Sequence, residues 1–295
     1  MGNLRHSGMM VLACGLALAG AAAAVARAQA PGTRLPTEIT SVRHNTGQSV
    51  TPYFEGWIRN ADGTFDMVFG YFNRNYVQEF AIPAGADNKI EPGVVDQGQP
   101  TYFLPRRQRY VYRVRVPADF GKQEVIWTIT ANGRTERGYG NLLAEQEITE
   151  RVVITNGNFN PGHDDPNKPP SVEIAPLSGV RAGVPVTLSA RVTDDGLPKL
   201  KPVAVAPREQ AAATGGFGAQ INTSATRPRE TTLTWLQYSG PAKVVFGHTD
   251  ALPVVSGQAV TTATFTAPGT YRLIGSASDP GRLSTKVTLT VTVVP

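Results

Sequence analysis

The chain has 295 residues, of which 41% are apolar and only 17% charged, with 30 Gly, 23 Pro and a single Cys. It is too long for one small domain and too apolar for a disordered chain, so about two domains of ordinary size are expected. Charged residues fall below the roughly 25% of an average globular protein while Gly and Pro run high, which favours a turn-dense β protein over a helical one. The formal charge of +5 includes Arg5 and Arg27 of a leader; without them 26 basic residues face 23 acidic ones, a balance that does not make a nucleic-acid binder.

Residues Met9 to Ala26 carry no charge and are mostly Ala, Gly and Leu. With Arg5 ahead of them and Ala26-Arg27-Ala28 behind, they read as a secretory signal peptide spanning residues 1–28, with Gln29 as the mature start. A membrane anchor is the alternative, but the run is richer in Ala and Gly than in Leu and Ile, and a processing site follows at once. Val11-Leu12-Ala13-Cys14 resembles a lipoprotein box, yet almost no apolar core precedes the cysteine. Cleavage after Ala28 leaves no cysteine, hence no disulfide and no thiolate nucleophile. The expected location is periplasmic or secreted, without a transmembrane span.

An N-terminal domain is expected over residues 29–156. Phe65, Met67, Phe69 and Tyr71 alternate after an Asn60-Ala61-Asp62-Gly63 turn. Tyr110, Tyr112, Val114 and Val116 alternate likewise, and so do Val125, Trp127 and Ile129 before an Ala131-Asn132-Gly133 turn. A β-sandwich is the simplest account. Between these strands lie two candidate ligand sites. Tyr71, Arg74 and Tyr76 mix aromatic and guanidinium groups at a strand end, and Arg106, Arg107 and Arg109 form a basic patch able to meet an anionic polymer. The competing readings are core and turn roles for the first set and a solvated loop for the second.

Thr155 to Ser171 is rich in Pro, Asn and Asp and nearly devoid of apolar side chains, which places a linker at 157–170. A second domain fills 171–295. Val172–Ile174, Val186–Val192, Leu233–Leu236, Val244–Phe246, Ala259–Phe265, Tyr271–Ala277 and Val287–Val293 give about seven short strands, the count of a two-sheet sandwich. Its Trp235-Leu236-Gln237-Tyr238-Ser239-Gly240-Pro241, followed by Ala263-Thr264-Phe265, Pro268-Gly269-Thr270-Tyr271 and Ala277-Ser278-Asp279, resembles a PKD-type immunoglobulin-like domain in its Trp-x-Gln-x-Ser-Gly-Pro variant. The resemblance covers residues 171–295 and implies a fold, not an activity. The stretch 196–230 is longer than an ordinary inter-strand loop and reads as a mobile insertion. The whole chain is therefore expected to be all-β, with two immunoglobulin-like β-sandwich domains in tandem.

In the strand order that the resemblance implies, Asp194 and Asp195 follow the second strand and Asp279 the sixth, at the end that faces the linker with its Asp164 and Asp165. Such a cluster of carboxylates suits Ca²⁺; the competing reading is that each Asp builds a turn. Catalytic motifs are missing: there is no Gly-x-Ser-x-Gly elbow, no phosphate loop and no His-Glu-x-x-His. Together these features point to a non-catalytic binding, adhesion or spacer protein of the cell envelope whose partner is an envelope protein or polysaccharide. The alternatives are an accessory carbohydrate-binding protein of a polysaccharide-degrading system, or a hydrolase using two distant carboxylates.

Overall fold

The alternating runs fold as strands wherever a phase of two is sustained. The computed structural model describes residues 43–157, 166–199 and 230–295, so the expected signal peptide at 1–28, Asp164, Asp165 and most of the 196–230 stretch lie outside the described residues. In chain order the first set of strands is β1 (Val50–Arg59), β2 (Phe65–Asn73), β3 (Phe80–Ala81), β4 (Asn88–Glu91), β5 (Tyr102–Phe103), β6 (Arg106–Val116), β7 (Val125–Ala131) and β8 (Arg134–Gly140). A 3-10 turn at Ala144–Gln146 and a short helix α1 (Glu150–Ile154) follow. The second set is β9 (Ser171–Ile174), β10 (Val180–Arg181), β11 (Pro185–Thr193), β12 (Thr232–Ser239), β13 (Val244–Phe246), β14 (Leu252–Pro253), β15 (Gln258–Phe265), β16 (Gly269–Ser278) and β17 (Ser284–Val294).

In the first set, the sheet β1-β2-β6 and the sheet β4-β7-β8 share a core, with β3 and β5 forming a small ribbon. The Asn60–Gly63 turn forms as expected: Gly63 takes φ +85° and the Asp62 carboxylate accepts the Thr64 N–H at 3.0 Å. The Asn132-Gly133 turn between β7 and β8 has both residues at positive φ, the type I′ geometry that matches strand twist. Trp127 is fully buried between the sheets, with Phe69, Phe103 and Tyr112 around it at ring separations of 5.9–6.3 Å. On the outer side of β2, Val68 is covered by Ile148 and by Val152 of α1, a second small core.

In the second set a sheet in the order β10-β17-β16-β12-β14 packs on one in the order β13-β15-β11-β9. The inward phase is the one the sequence shows: Leu188, Ala190, Val192, Tyr271, Leu273, Ala277, Leu289, Val291 and Val293 are buried. The Trp-x-Gln-x-Ser-Gly-Pro residues build local structure. Gln237 donates to the Ala242 carbonyl at 2.7 Å and accepts the Val244 N–H at 2.8 Å, tying β12 to β13. Gly240 at φ +148° lies against the Tyr271 ring, where a Cβ would collide with Cδ1.

The two cores do not hang on a linker as separate beads. Arg43–Pro295 form one compact unit. The Tyr238 hydroxyl donates to the Gly98 carbonyl (2.8 Å), Arg272 Nη2 donates to the same oxygen (3.1 Å), and the Thr101 N–H donates to the Tyr238 carbonyl (3.1 Å). Lys243 pairs with Glu79 at 3.0 Å, and Ser284 and Lys286 donate to the carbonyls of Ile154 and Arg109. The linker composition could not show this, because the joint is made by the Gly98–Thr101 turn lying along β12.

Phenols are concentrated at that joint. Burial raises the pKa of Tyr238, Tyr102 and Tyr71, and pushes Tyr112 up to about 12. A phenol whose folded pKa exceeds its unfolded value of about 10 stabilises the fold below that pH and stops doing so as pH rises through the folded value. Stability is therefore expected to fall steeply above about pH 10, with these phenols ionising together as the chain opens. Tyrosinate absorbance followed alongside circular dichroism checks this; complete ionisation of all nine Tyr with the fold intact would contradict it.

Candidate binding face

The outer face of β1-β2-β6 is built by strand parity. Phe65, Met67, Phe69 and Tyr71 point inward, so Gly70 and Phe72 of β2 face out. Phe72 pairs with Thr51 of β1 on one side and Arg107 of β6 on the other, and Tyr53 pairs with Gly70. Because Gly70 has no side chain, Arg107 reaches across β2 to β1. Its guanidinium lies 4.3 Å from the Tyr53 ring centre and 2.7 Å from Glu55 Oε1. Burial raises the Glu55 pKa, with Arg107 opposing, so this carboxylate holds Arg107 in place.

Next to that pair is a stacked series. The Arg106 guanidinium lies 4.0 Å from the Tyr76 ring centre and 4.7 Å from that of Phe72, and Arg43 lies 5.4 Å from Tyr76. Arg106 Nη1 donates to the Arg74 carbonyl at 3.2 Å. Among the described residues none of Arg43, Arg74 and Arg106 pairs with a carboxylate. Tyr53 and Tyr76 remain about two-fifths exposed (42% and 39%), so their rings are open to a ligand. An aromatic ring under a guanidinium leaves its N–H groups in the plane to meet a carboxylate; in Arg106 these are the N–H groups other than the one Nη1 gives to Arg74.

The face leads into a cleft of about 700 Å³ between the two sheets systems, lined by Arg107, Arg109, Thr232, Thr234, Ser276 and Lys286. Arg109 donates to the Asn156 carbonyl at 3.4 Å from the rim. The six candidate residues thus divide by place. Arg106 and Tyr76 are stacked together, Arg107 stands beside them, Arg109 lies in the cleft, and Arg74 contributes its carbonyl. Tyr71 is a core residue, 3% exposed, whose hydroxyl accepts the Leu104 N–H at 2.9 Å. Arg106, Arg107 and Arg109 are among the first four residues of strand β6, not in a loop before it. The sequence reading missed Tyr53 and Arg43, and within the Tyr71–Tyr76 run it chose Tyr71, where the outward parity of Phe72 beside inward Tyr71 was the available signal.

Of the carboxylates in the second set, Asp279, which also lines that cleft, and Asp195 meet Asn167 and Lys168, whereas Asp194 is held within its own loop. Asp279 is buried and accepts from Asn167 Nδ2 (2.7 Å) and the Leu283 N–H (2.8 Å). Asp195 accepts the N–H groups of Lys168 and Leu197, both at 2.9 Å, and Asp194 accepts from the Thr231 hydroxyl at 2.9 Å. Asn167 and Lys168 thus tie their segment to Asp279 and Asp195, while the other donors close local turns. Among the described residues no group of three or more His, Cys, Asp or Glu is arranged to hold a metal ion.

No family model matches the chain, and no curated protein matches it. Among solved structures, a conjugative transposon lipoprotein from Bacteroides eggerthii is 13% identical, over 41% of this chain and 95% of its own, with a TM-score of 0.26. The D00-D0 domain of intimin is 11% identical over 84% of this chain and 100% of its own, with a TM-score of 0.27. The Yersinia pseudotuberculosis adhesin InvE is 9% identical over 83% of this chain and 59% of its own, with a TM-score of 0.23. Similarity at this level carries no functional argument, and the reading rests on the face itself. No helix among the described residues is long and apolar enough to cross a membrane.

Proposed function

We propose that the protein is an exported, non-catalytic binding protein of the cell envelope whose Arg/aromatic face holds an acidic polysaccharide. The observation that carries this is Arg106 stacked between Tyr76 and Phe72 with no carboxylate partner among the described residues. A uronate chain offers carboxylates to such guanidinium edges and C–H faces to the exposed Tyr rings, and the hydroxyl-lined cleft beyond Arg107 extends the track. Neutral glycans offer only half of that chemistry.

The framework we propose is a signal peptide at 1–28, a sandwich at 29–156, a linker at 157–170 and an immunoglobulin-like sandwich at 171–295. Support for the last comes from strand order. β9, β11, β15 and β13 lie in the A-B-E-D arrangement, with β12, β16 and β17 as C, F and G in the facing sheet. The Tyr271 hydroxyl also donates to the Ala267 carbonyl at 2.8 Å, in the manner of a tyrosine corner. A glycan array tests the function: retention on polyuronates and not on neutral glucans is expected. Equal retention on both, or on neither, would remove the proposal.

A further inference from the structure

The cleft beside the basic face has a floor set by strand parity. Leu233, Trp235 and Gln237 of β12 point inward, so Thr232 and Thr234 face out; Gly275 and Ala277 of β16 point inward, so Ser276 and Ser278 face out. Pairing sets Thr234 opposite Ser276 and Thr232 opposite Ser278. The result is two rows of hydroxyls, about 4.8 Å apart across the strands and about 7 Å along them. All four residues line the cleft of about 700 Å³ and are partly exposed, and none of their hydroxyls has a hydrogen-bond partner among the described residues.

Cations stand around this floor without counter-charges. Lys286 of β17 lies opposite Ser276 and extends its row. Its Nζ donates to the carbonyls of Arg109 (3.1 Å) and Tyr110 (3.4 Å), which uses two of its three N–H groups. Arg109 lines the cleft from β6, and Arg282 lines it from the turn that its own N–H closes on the Asp279 carbonyl at 3.0 Å. None of the three pairs with a carboxylate among the described residues, whereas Arg107 in the same cleft pairs with Glu55. The single carboxylate among the described lining residues, Asp279, is engaged by Asn167 and the Leu283 N–H. Cations gathered in a concave site without counter-charges concentrate anions there.

We propose that this cleft binds a sugar carrying a phosphate or sulfate ester, with ring hydroxyls on the Thr and Ser rows and the oxyanion among Lys286, Arg109 and Arg282. Such an ester offers three acceptor oxygens spread in space, which suits cations arriving from β6, β17 and the turn after β16; a carboxylate offers two in one plane. The volume fits a molecule of sugar size better than a bare ion. This gives the cleft a preference of its own within the acidic-polysaccharide reading, and it stands whether or not the stacked face at Arg106 holds uronates.

Isothermal titration of the protein with glucose 6-phosphate, glucose 6-sulfate, glucuronate and glucose tests this. One or both esters are expected to bind one to one, glucuronate about tenfold more weakly or worse, and glucose not measurably. The ester that binds tells phosphate from sulfate. Arg109→Gln with Arg282→Gln is expected to weaken ester binding about tenfold or more at a nearly unchanged melting temperature. Thr234→Val keeps the branched shape and removes one hydroxyl, and is expected to weaken the sugar ester while the inorganic anion binds as before. Arg43→Gln with Arg106→Gln is expected to leave ester binding unchanged, which separates this site from the stacked face. Failure of both esters to bind, glucuronate binding as tightly as they do, full affinity in the Arg109 and Arg282 variant, or loss of affinity in the Arg43 and Arg106 variant overturns the proposal. Should the Arg109 and Arg282 variant unfold, the Thr234→Val affinities decide in its place.

Discussion

Trp127→Ala is expected to destabilise the protein by about 3–5 kcal/mol, the range for removing a large buried aromatic. The indole fills the centre of the first core, with three aromatic neighbours that cannot collapse inward together. It also donates to Asn88 Oδ1, and Asn88 in turn donates to the carbonyls of Ile82 (3.0 Å) and Pro100 (2.8 Å). Truncation thus leaves a cavity and an unpartnered buried acceptor. Because Gly98 and Thr101 flank the segment Asn88 holds, the damage is expected to reach the joint with Tyr238. Denaturant unfolding measures the loss. Trp127→Phe is expected to cost less, since it keeps most of the volume and loses the donor and part of the ring system. A loss below about 1 kcal/mol for the alanine variant would be incompatible with this core.

Gly70→Ala is expected to cost about 1–3 kcal/mol and to weaken ligand binding at the same time. A Cβ at residue 70 would fall on Glu55 Oε1 and lie 2.5 Å from the Gln108 carbonyl oxygen and 3.2 Å from Arg109 Cα. Two of these are backbone atoms of β6 and have little room to move. The register between β2 and β6 already slips there, between Phe69 and Tyr71, and Tyr110 already takes φ +52°. Glu55 would be pushed aside and Arg107 with it. Gly85→Ala, whose Cβ meets its nearest neighbour at 3.9 Å, is the control and is expected to be nearly neutral. Thermal unfolding and binding assays on the pair check the claim; matched behaviour of the two variants would refute it.

The strands that could be read from sequence were those with an unbroken alternation. β11, β13, β15, β16 and β17 lie within a few residues of their expected positions, because one face of each is buried and the other is wet. β1 escaped because Pro52 and Gly56 interrupt it and a bulge between Phe54 and Gly56 shifts its phase. β8 escaped because Arg134–Gly140 is largely polar and is held to β7 by backbone pairing. β10 and β14 have two residues each, too few to show a period. Arg106–Arg109 looked like a loop since no apolar residue marks the inward side, where Gln108 stands. The basic patch was visible in composition, but its stacking on Phe72 and Tyr76 depends on pairing between β2 and β6.

Isothermal titration of the protein with polygalacturonate, in low and in high salt, bears most directly on the binding face. The variant to compare carries Arg43→Gln and Arg106→Gln, which removes two stacked cations that have no carboxylate partner among the described residues and leaves the Glu55–Arg107 pair in place. The parent is expected to bind, with affinity that falls as salt rises because guanidinium–carboxylate contacts release counterions. The double variant is expected to lose about tenfold or more while melting at nearly the same temperature. Unchanged affinity in the double variant, or binding indifferent to salt, would show that the stacked arginines do not hold an acidic polysaccharide.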